Sequence, residues 1–259
     1  MIATPAPAPV IETLAELAVP SGPAAGRVVP PRVALVRTRA GRGIVAGSFL
    51  TFAALFAVVR TNRSAGIDAA VSRGVQRIGR PAGAVLHAAS WPGFPPQSRV
   101  IPAALVAALW AAGLRLEAGF QLVAWSGALV SEGLKALARR PRPAAADAIA
   151  IVAAPLRGSS FPSGHVLTYI GVYGFLAHVL GAHIPGGRRR ALGVGVPLAL
   201  VGLVGPSRIH AGHHWPTDVL GSYLVGLPLL ALLIEGYRVT KERLLAARTS
   251  PARRDRGRA

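Results

Sequence analysis

The chain contains no cysteine, and charged residues make up only 15% of its 259 positions. The first absence excludes a disulfide framework and thiolate metal sites, and it leaves the redox character of the compartment open. The second excludes an ordinary soluble domain, in which about a quarter of residues carry charge. Acidic side chains are scarcer still, 10 against 29 lysines and arginines, for a formal charge of +19. That balance suggests a nucleic-acid binder until the cations are located. They flank apolar runs and gather in the terminal segments, and they do not interleave with aromatics, so membrane flanks explain them better and no nucleic-acid partner is expected. What the chain has in abundance is apolar sequence: 52% hydrophobic residues and a mean hydropathy of +0.46. These features describe an integral membrane protein.

Residues 1–42 are rich in Pro and Ala, with no basic stretch leading into an apolar core, so they read as a disordered tail and not as a signal peptide. Six apolar, nearly charge-free runs follow, at 43–59, 100–114, 118–134, 166–182, 191–206 and 219–234. Each is somewhat short of the roughly 20 residues of a comfortable crossing. Arg60, Arg99, Arg115 and Arg238 bracket them, and long cationic stems at such ends reach the interface and extend the effective length. The expectation is an all-α bundle of six membrane spans over 43–236, with a basic tail at 237–259. Placing both tails in the cytoplasm puts Arg188, Arg189, Arg190 and the C-terminal cations inside, in agreement with the positive-inside rule. The segment 60–99, itself arginine-rich, then lies outside. With Asp68, Val71, Val75 and Ile78 on one helical face it is either an amphipathic helix on the outer surface or an ordered loop.

Three short blocks carry the chemistry, and six spans place all of them on the side opposite the tails. In the first, Lys135 nears the end of an apolar helix that Pro141 and Pro143 forbid to continue, so the returning loop brings Arg142 back beside it. Lysine offers a compact charge and arginine a planar fork for two phosphate oxygens. Arg139 and Arg140 fit no position in this pattern and read as interfacial cations. In the second block, Pro162-Ser163-Gly164-His165 opens a long apolar helix. Ser163 is a reasonable N-cap, Gly164 lets backbone amides approach an anion, and His165 stands beside whatever binds there. In the third, Ser207-Arg208 leads to His214, with Asp218 four residues on and on the same helical face. A carboxylate so placed holds one imidazole nitrogen and leaves the other free for attack on phosphorus. Two histidines, three cations and one carboxylate are what metal-free phosphoryl transfer needs. His210, His213 and His214 form an H-x2-H-H cluster, but without cysteine or several carboxylates nearby a metal site is not expected.

The spacings Lys-x6-Arg-Pro, Pro-Ser-Gly-His and Ser-Arg-x5-His-x3-Asp, in this order and without a mismatch, resemble the signature of the type 2 phosphatidic acid phosphatase (PAP2) superfamily. The resemblance implies a six-helix membrane bundle with a phosphate pocket at its extracytoplasmic face. It implies His214 as nucleophile, Asp218 as its orienting carboxylate and His165 as general acid and then base. It also implies Lys135, Arg142, Ser163, Gly164 and Arg208 as the phosphate clamp, with no cofactor. The expected activity is hydrolysis of a lipid phosphate or diphosphate in a cell membrane: phosphatidate, phosphatidylglycerol phosphate or a polyprenyl diphosphate. Two alternatives stand beside it, a lipid-linked phosphotransferase using the same phosphohistidine and a non-catalytic membrane scaffold. Vanadium haloperoxidases share the phosphate pocket, but six apolar spans count against that reading.

Overall fold

A computed structural model describes residues 35–144, 147–151 and 158–249. The expected tail therefore lies outside the described residues up to position 34, as do residues 250–259 at the other end. Nine α-helices and no strand are present among the described residues: α1 (Arg39–Arg60), α2 (Ala65–Gln76), α3 (Ala82–Ser90), α4 (Gln97–Ala111), α5 (Arg115–Ala124), α6 (Gly127–Ala138), α7 (Gly164–His183), α8 (Arg188–His210) and α9 (Pro216–Thr249). The positions expected to close the tails, 42 and 237, fall inside α1 and α9.

Four of these, α1, α7, α8 and most of α9, are long and apolar enough to cross a membrane, and α4 is a shorter apolar helix. α1 opens at Thr38, whose side chain accepts from the Gly41 amide at 2.9 Å. Only 6% of its apolar stretch is buried against the protein, with Leu50 and Ile44 turned outward. Such a helix, apolar and uncovered, suits a hydrocarbon solvent. α7 is the opposite case, buried over 56% of its span at the centre of the bundle. Its Val166, Tyr169, Ile170 and Tyr173 pack with Val201, Val204 and Ile209 of α8 and Val219 of α9.

The run 118–134 is not one uninterrupted helix. It breaks at Trp125 and Ser126 into α5 and α6, where the chain presses onto α7 backbone to backbone. A Cβ on Gly171 would lie 2.1 Å from the Ala124 carbonyl oxygen, so only glycine permits this approach, the small-residue contact common between membrane helices.

The segment 60–99 also departs from expectation. It forms α2, α3 and a 3₁₀ turn at Trp91–Gly93, packed against α8 and α9. α2 buries Asp68 and Ser72 and leaves Val71 exposed, because a buried arginine waits on its inner side. The end of α6, the start of α7, the end of α8 and the start of α9 converge at one end of the bundle, with α2 and α3 against them. At the other end Arg37 pairs with Glu235 at 2.5 Å and Glu242 at 3.0 Å, and Glu117 accepts from Tyr237 and Lys241.

Candidate active site

α6 delivers Lys135 and then stops: Arg139 adopts a left-handed conformation (φ 49°) and Pro141 cannot continue the helix. The Lys135 ammonium is 2.7 Å from Glu132 and 3.6 Å from where a Cβ on Gly164 would stand, so it faces the start of α7. The loop returns Arg142, whose Nη1 donates to the His213 carbonyl at 2.8 Å and whose Nη2 donates to the Ser159 carbonyl at 3.1 Å. The same Nη1 lies 3.3 Å from His214 Nε2. Burial lowers the Arg142 pKa from its ordinary value, while Asp218 and Glu132 hold it up, so the guanidinium is a cation at neutral pH.

Ser163 caps α7 with extended backbone, and its amide donates to Ser222 Oγ at 2.8 Å, tying this turn to α9. Its hydroxyl is buried without a hydrogen-bond partner, as are His165 Nε2 and Arg142 Nε. Unpaired polar atoms on two expected phosphate contacts and on the expected general acid are costly as they stand, and oxygens of an anion would satisfy them. Gly164 sits in a tight contact, since a Cβ there would be 3.1 Å from Ser131 Oγ. The His165 ring is flanked by Phe94 at 5.8 Å between centroids, edge to face.

His214 is buried in the turn between α8 and α9. Its Nδ1 is 2.8 Å from the Ser160 carbonyl oxygen and 3.5 Å from Asp218 Oδ2. The backbone carbonyl, which only accepts, therefore assigns the proton to Nδ1 and leaves the Nε2 lone pair toward Arg142. Burial pushes the His214 pKa down, and Asp218 opposes that shift. Asp218 itself accepts from the Trp215 amide at 2.8 Å, reaching back to the start of α9 as half of a capping box.

Lys135, Arg142, Gly164, His165 and His214 line one cavity of about 680 Å³, walled on its other side by Leu122, Trp125 and Leu129. Arg208 is placed differently. It is buried with its guanidinium 4.8 Å from the Phe94 ring and borders a neighbouring cavity of about 600 Å³. The three clustered histidines part company: His210 Nε2 meets the Ile78 carbonyl at 3.1 Å, His213 Nδ1 lies 3.4 Å from Arg208, and His214 turns to Ser160.

Two residues at this site escaped the sequence reading. Arg140, expected as an interfacial cation, is only 6% exposed and bridges Asp218 at 2.6 Å and Asp68 at 2.5 Å. No signal in the chain distinguishes it from Arg139, because two adjacent arginines at a helix end look alike until the fold turns one inward.

Residues 116–241, which contain all three blocks, match the family model of the PAP2 superfamily. A stretch of 79 residues is 39% identical to phosphatidylglycerophosphatase B of Bacillus subtilis, covering 30% of this chain and 38% of that protein's length. The fold superposes on the crystal structure of a transmembrane PAP2-type phosphatidylglycerolphosphate phosphatase from Bacillus subtilis with a TM-score of 0.60 and 28% identity, over 76% of this chain and 96% of the other. Motifs, fold and matches all agree on the PAP2 superfamily, whose model covers just under half of the chain.

Proposed function

We propose that this protein is a membrane phosphatase that hydrolyses a lipid phosphate through a phosphohistidine on His214. The observation that carries this reading is the cavity in which a histidine with an unprotonated Nε2 facing Arg142, a second histidine and two cations meet beside an apolar wall. The polar side suits a phosphate and the apolar side an acyl chain. In the first step His214 Nε2 attacks phosphorus, the bond from phosphorus to the lipid oxygen breaks, and His165 gives its proton to that oxygen. In the second, His165 takes a proton from water, the hydroxide attacks phosphorus, and the bond to Nε2 breaks to release phosphate. Lys135, Arg142, the Ser163 hydroxyl and the Gly164 amide stabilise the equatorial oxygens, with Arg208, stacked on Phe94, adding its charge.

The two Bacillus subtilis relatives favour phosphatidylglycerol phosphate as the substrate; phosphatidate and polyprenyl diphosphate present the same phosphate chemistry. α4 and the α5–α6 pair complete six crossings with α1, α7, α8 and α9. The cavity faces the extracytoplasmic side, since Arg188, Arg189 and Arg190 lie at the other end. The test is phosphate release by detergent-solubilised protein from a panel of purified lipid phosphates, with and without EDTA. We expect release from phosphatidylglycerol phosphate that survives EDTA and is inhibited by vanadate. No release from any lipid phosphate overturns the reading, and transfer to an added acceptor in place of water makes the protein a phosphotransferase. For orientation, single cysteines at Gly79 and Gly186 of this cysteine-free chain should label from outside and inside respectively.

A further inference from the structure

The charge beside His214 is not set by Asp218 alone. Arg140 Nη1 donates to Asp218 Oδ1 at 2.6 Å and its Nη2 donates to Asp68 Oδ2 at 2.5 Å, so one guanidinium is shared by two fully buried carboxylates. Thr217, between them, accepts from Arg140 at 2.7 Å and donates to Asp68 at 2.8 Å. Its amide donates to Asp68 Oδ1 at 3.0 Å, so α2 caps the first turn of α9. Ser64 adds a contact to Arg140 Nη2 at 3.0 Å. Asp68 and Ser64 lie outside residues 116–241, the part of the chain that matches the family model.

A neutral buried pair of Arg140 and Asp218 would leave no negative charge to favour the cationic imidazole that forms when His214 bonds to phosphorus. The second carboxylate changes that: two acids and one guanidinium carry a net charge of −1 at the base of His214. We propose that Asp68 and Arg140 are positioning residues for the phosphoryl-transfer nucleophile, fixing the placement of Asp218 so that His214 is held and electrostatically supported from α2. This rests on the reading of His214 as nucleophile. The other charged or titratable groups facing it are Arg142 from the loop after α6, His165 from α7, and Arg208 and His213 at the end of α8. The cations among these oppose imidazolium formation, which makes the extra negative charge count.

Asp68→Asn keeps an oxygen for the Thr217 amide, removes the charge and turns the acceptor that meets Arg140 into an amide donor. We expect kcat to fall about tenfold with KM little changed, as for other outer-shell partners. The acid limb of the rate profile should move to lower pH, because His214 becomes harder to protonate. Arg140→Gln leaves the two buried carboxylates without the cation they share, so like charges oppose one another. Its rate should fall about 100-fold. The double variant D68N/R140Q leaves Asp218 as the one carboxylate and should recover activity over R140Q alone, whereas a purely structural role predicts further loss. Folding is followed in parallel by thermal melting in detergent. Wild-type protein that hydrolyses no lipid phosphate refutes the proposed function and not this network. An active wild type with a D68N variant of unchanged rate and pH profile, or a double variant below R140Q, overturns the network.

Discussion

The Ser160 carbonyl oxygen stands 2.8 Å from His214 Nδ1, closer than the 3.5 Å that separates this nitrogen from Asp218. The tautomer of the proposed nucleophile is thus fixed by backbone, and the carboxylate is left to supply charge. Where an aspartate fixes the tautomer, its change to asparagine costs about 10⁴-fold. Asp218→Asn here should cost less, about 10- to 100-fold in kcat, since a carbonyl still orients the ring. A steady-state comparison on one lipid phosphate decides it, and a loss as large as that of His214→Ala would return the orienting role to Asp218.

The proposed mechanism gives the two histidines different tasks, so their variants should fail differently. His214→Ala should show neither turnover nor covalent phosphate on the protein. His165→Ala loses a proton shuttle worth about 10²- to 10⁴-fold, yet it can still be phosphorylated by a substrate whose leaving group needs no proton, such as a nitrophenyl phosphate. Acid-labile, base-stable phosphate should then accumulate. Wild-type levels of trapped phosphate on His214→Ala would place the nucleophile elsewhere.

The pattern of what was legible in the chain follows from how local each signal is. Lys135, Arg142, His165, His214 and Asp218 stand at fixed short spacings near helix ends, and helix geometry plus two prolines suffices to bring them to one end of the bundle. Arg140 and Asp68 are 72 residues apart and meet only through the docking of α2 on α8 and α9. Hydropathy reads α2 from its apolar side, yet the bundle receives its aspartate. The break between α5 and α6 is hidden for a similar reason. The run 118–134 is apolar throughout, and its division answers to the backbone contact of Ala124 with Gly171, a partner 47 positions away. Arg208 belongs to its motif by spacing, while its packing on the Phe94 ring depends on a residue far outside that motif.

The buried setting of His214 has a consequence for pH. Its pKa lies below the ordinary histidine value of 6.5 because burial disfavours the imidazolium, with Asp218 opposing. Nε2 therefore keeps its lone pair as the solution is acidified through 6.5, and the acid limb of kcat/KM assigned to the nucleophile should fall below that value. Asp218→Asn removes the opposing charge, so its limb should move lower still. The same shift makes the folded state resist protonation. Stability on this account is full above 6.5 and declines as pH drops toward the folded value, since the unfolded chain gains the proton first. A limb that moves upward in Asp218→Asn would show that another group titrates there.

Gly93 offers a test of how the segment ahead of the matched domain acts on the site. A Cβ at this position would lie 2.6 Å from His165 Cδ2 and 3.1 Å from Tyr169 Cε2. Tyr169 is held, its hydroxyl donating to the Ala89 carbonyl at 3.0 Å, so the ring that gives way is His165, whose Nε2 has no hydrogen bond to anchor it. Displacing a catalytic group by a fraction of an ångström to one ångström costs up to about 100-fold. Gly93→Ala should accordingly lower kcat by about 10- to 100-fold while leaving thermal stability close to wild type, because only a short 3₁₀ turn is strained. The phosphoenzyme trapped from a nitrophenyl phosphate should persist longer, as water activation depends on the displaced ring. Unchanged kcat and phosphoenzyme lifetime would mean that the turn at Trp91–Gly93 yields instead, and that this segment does not position His165.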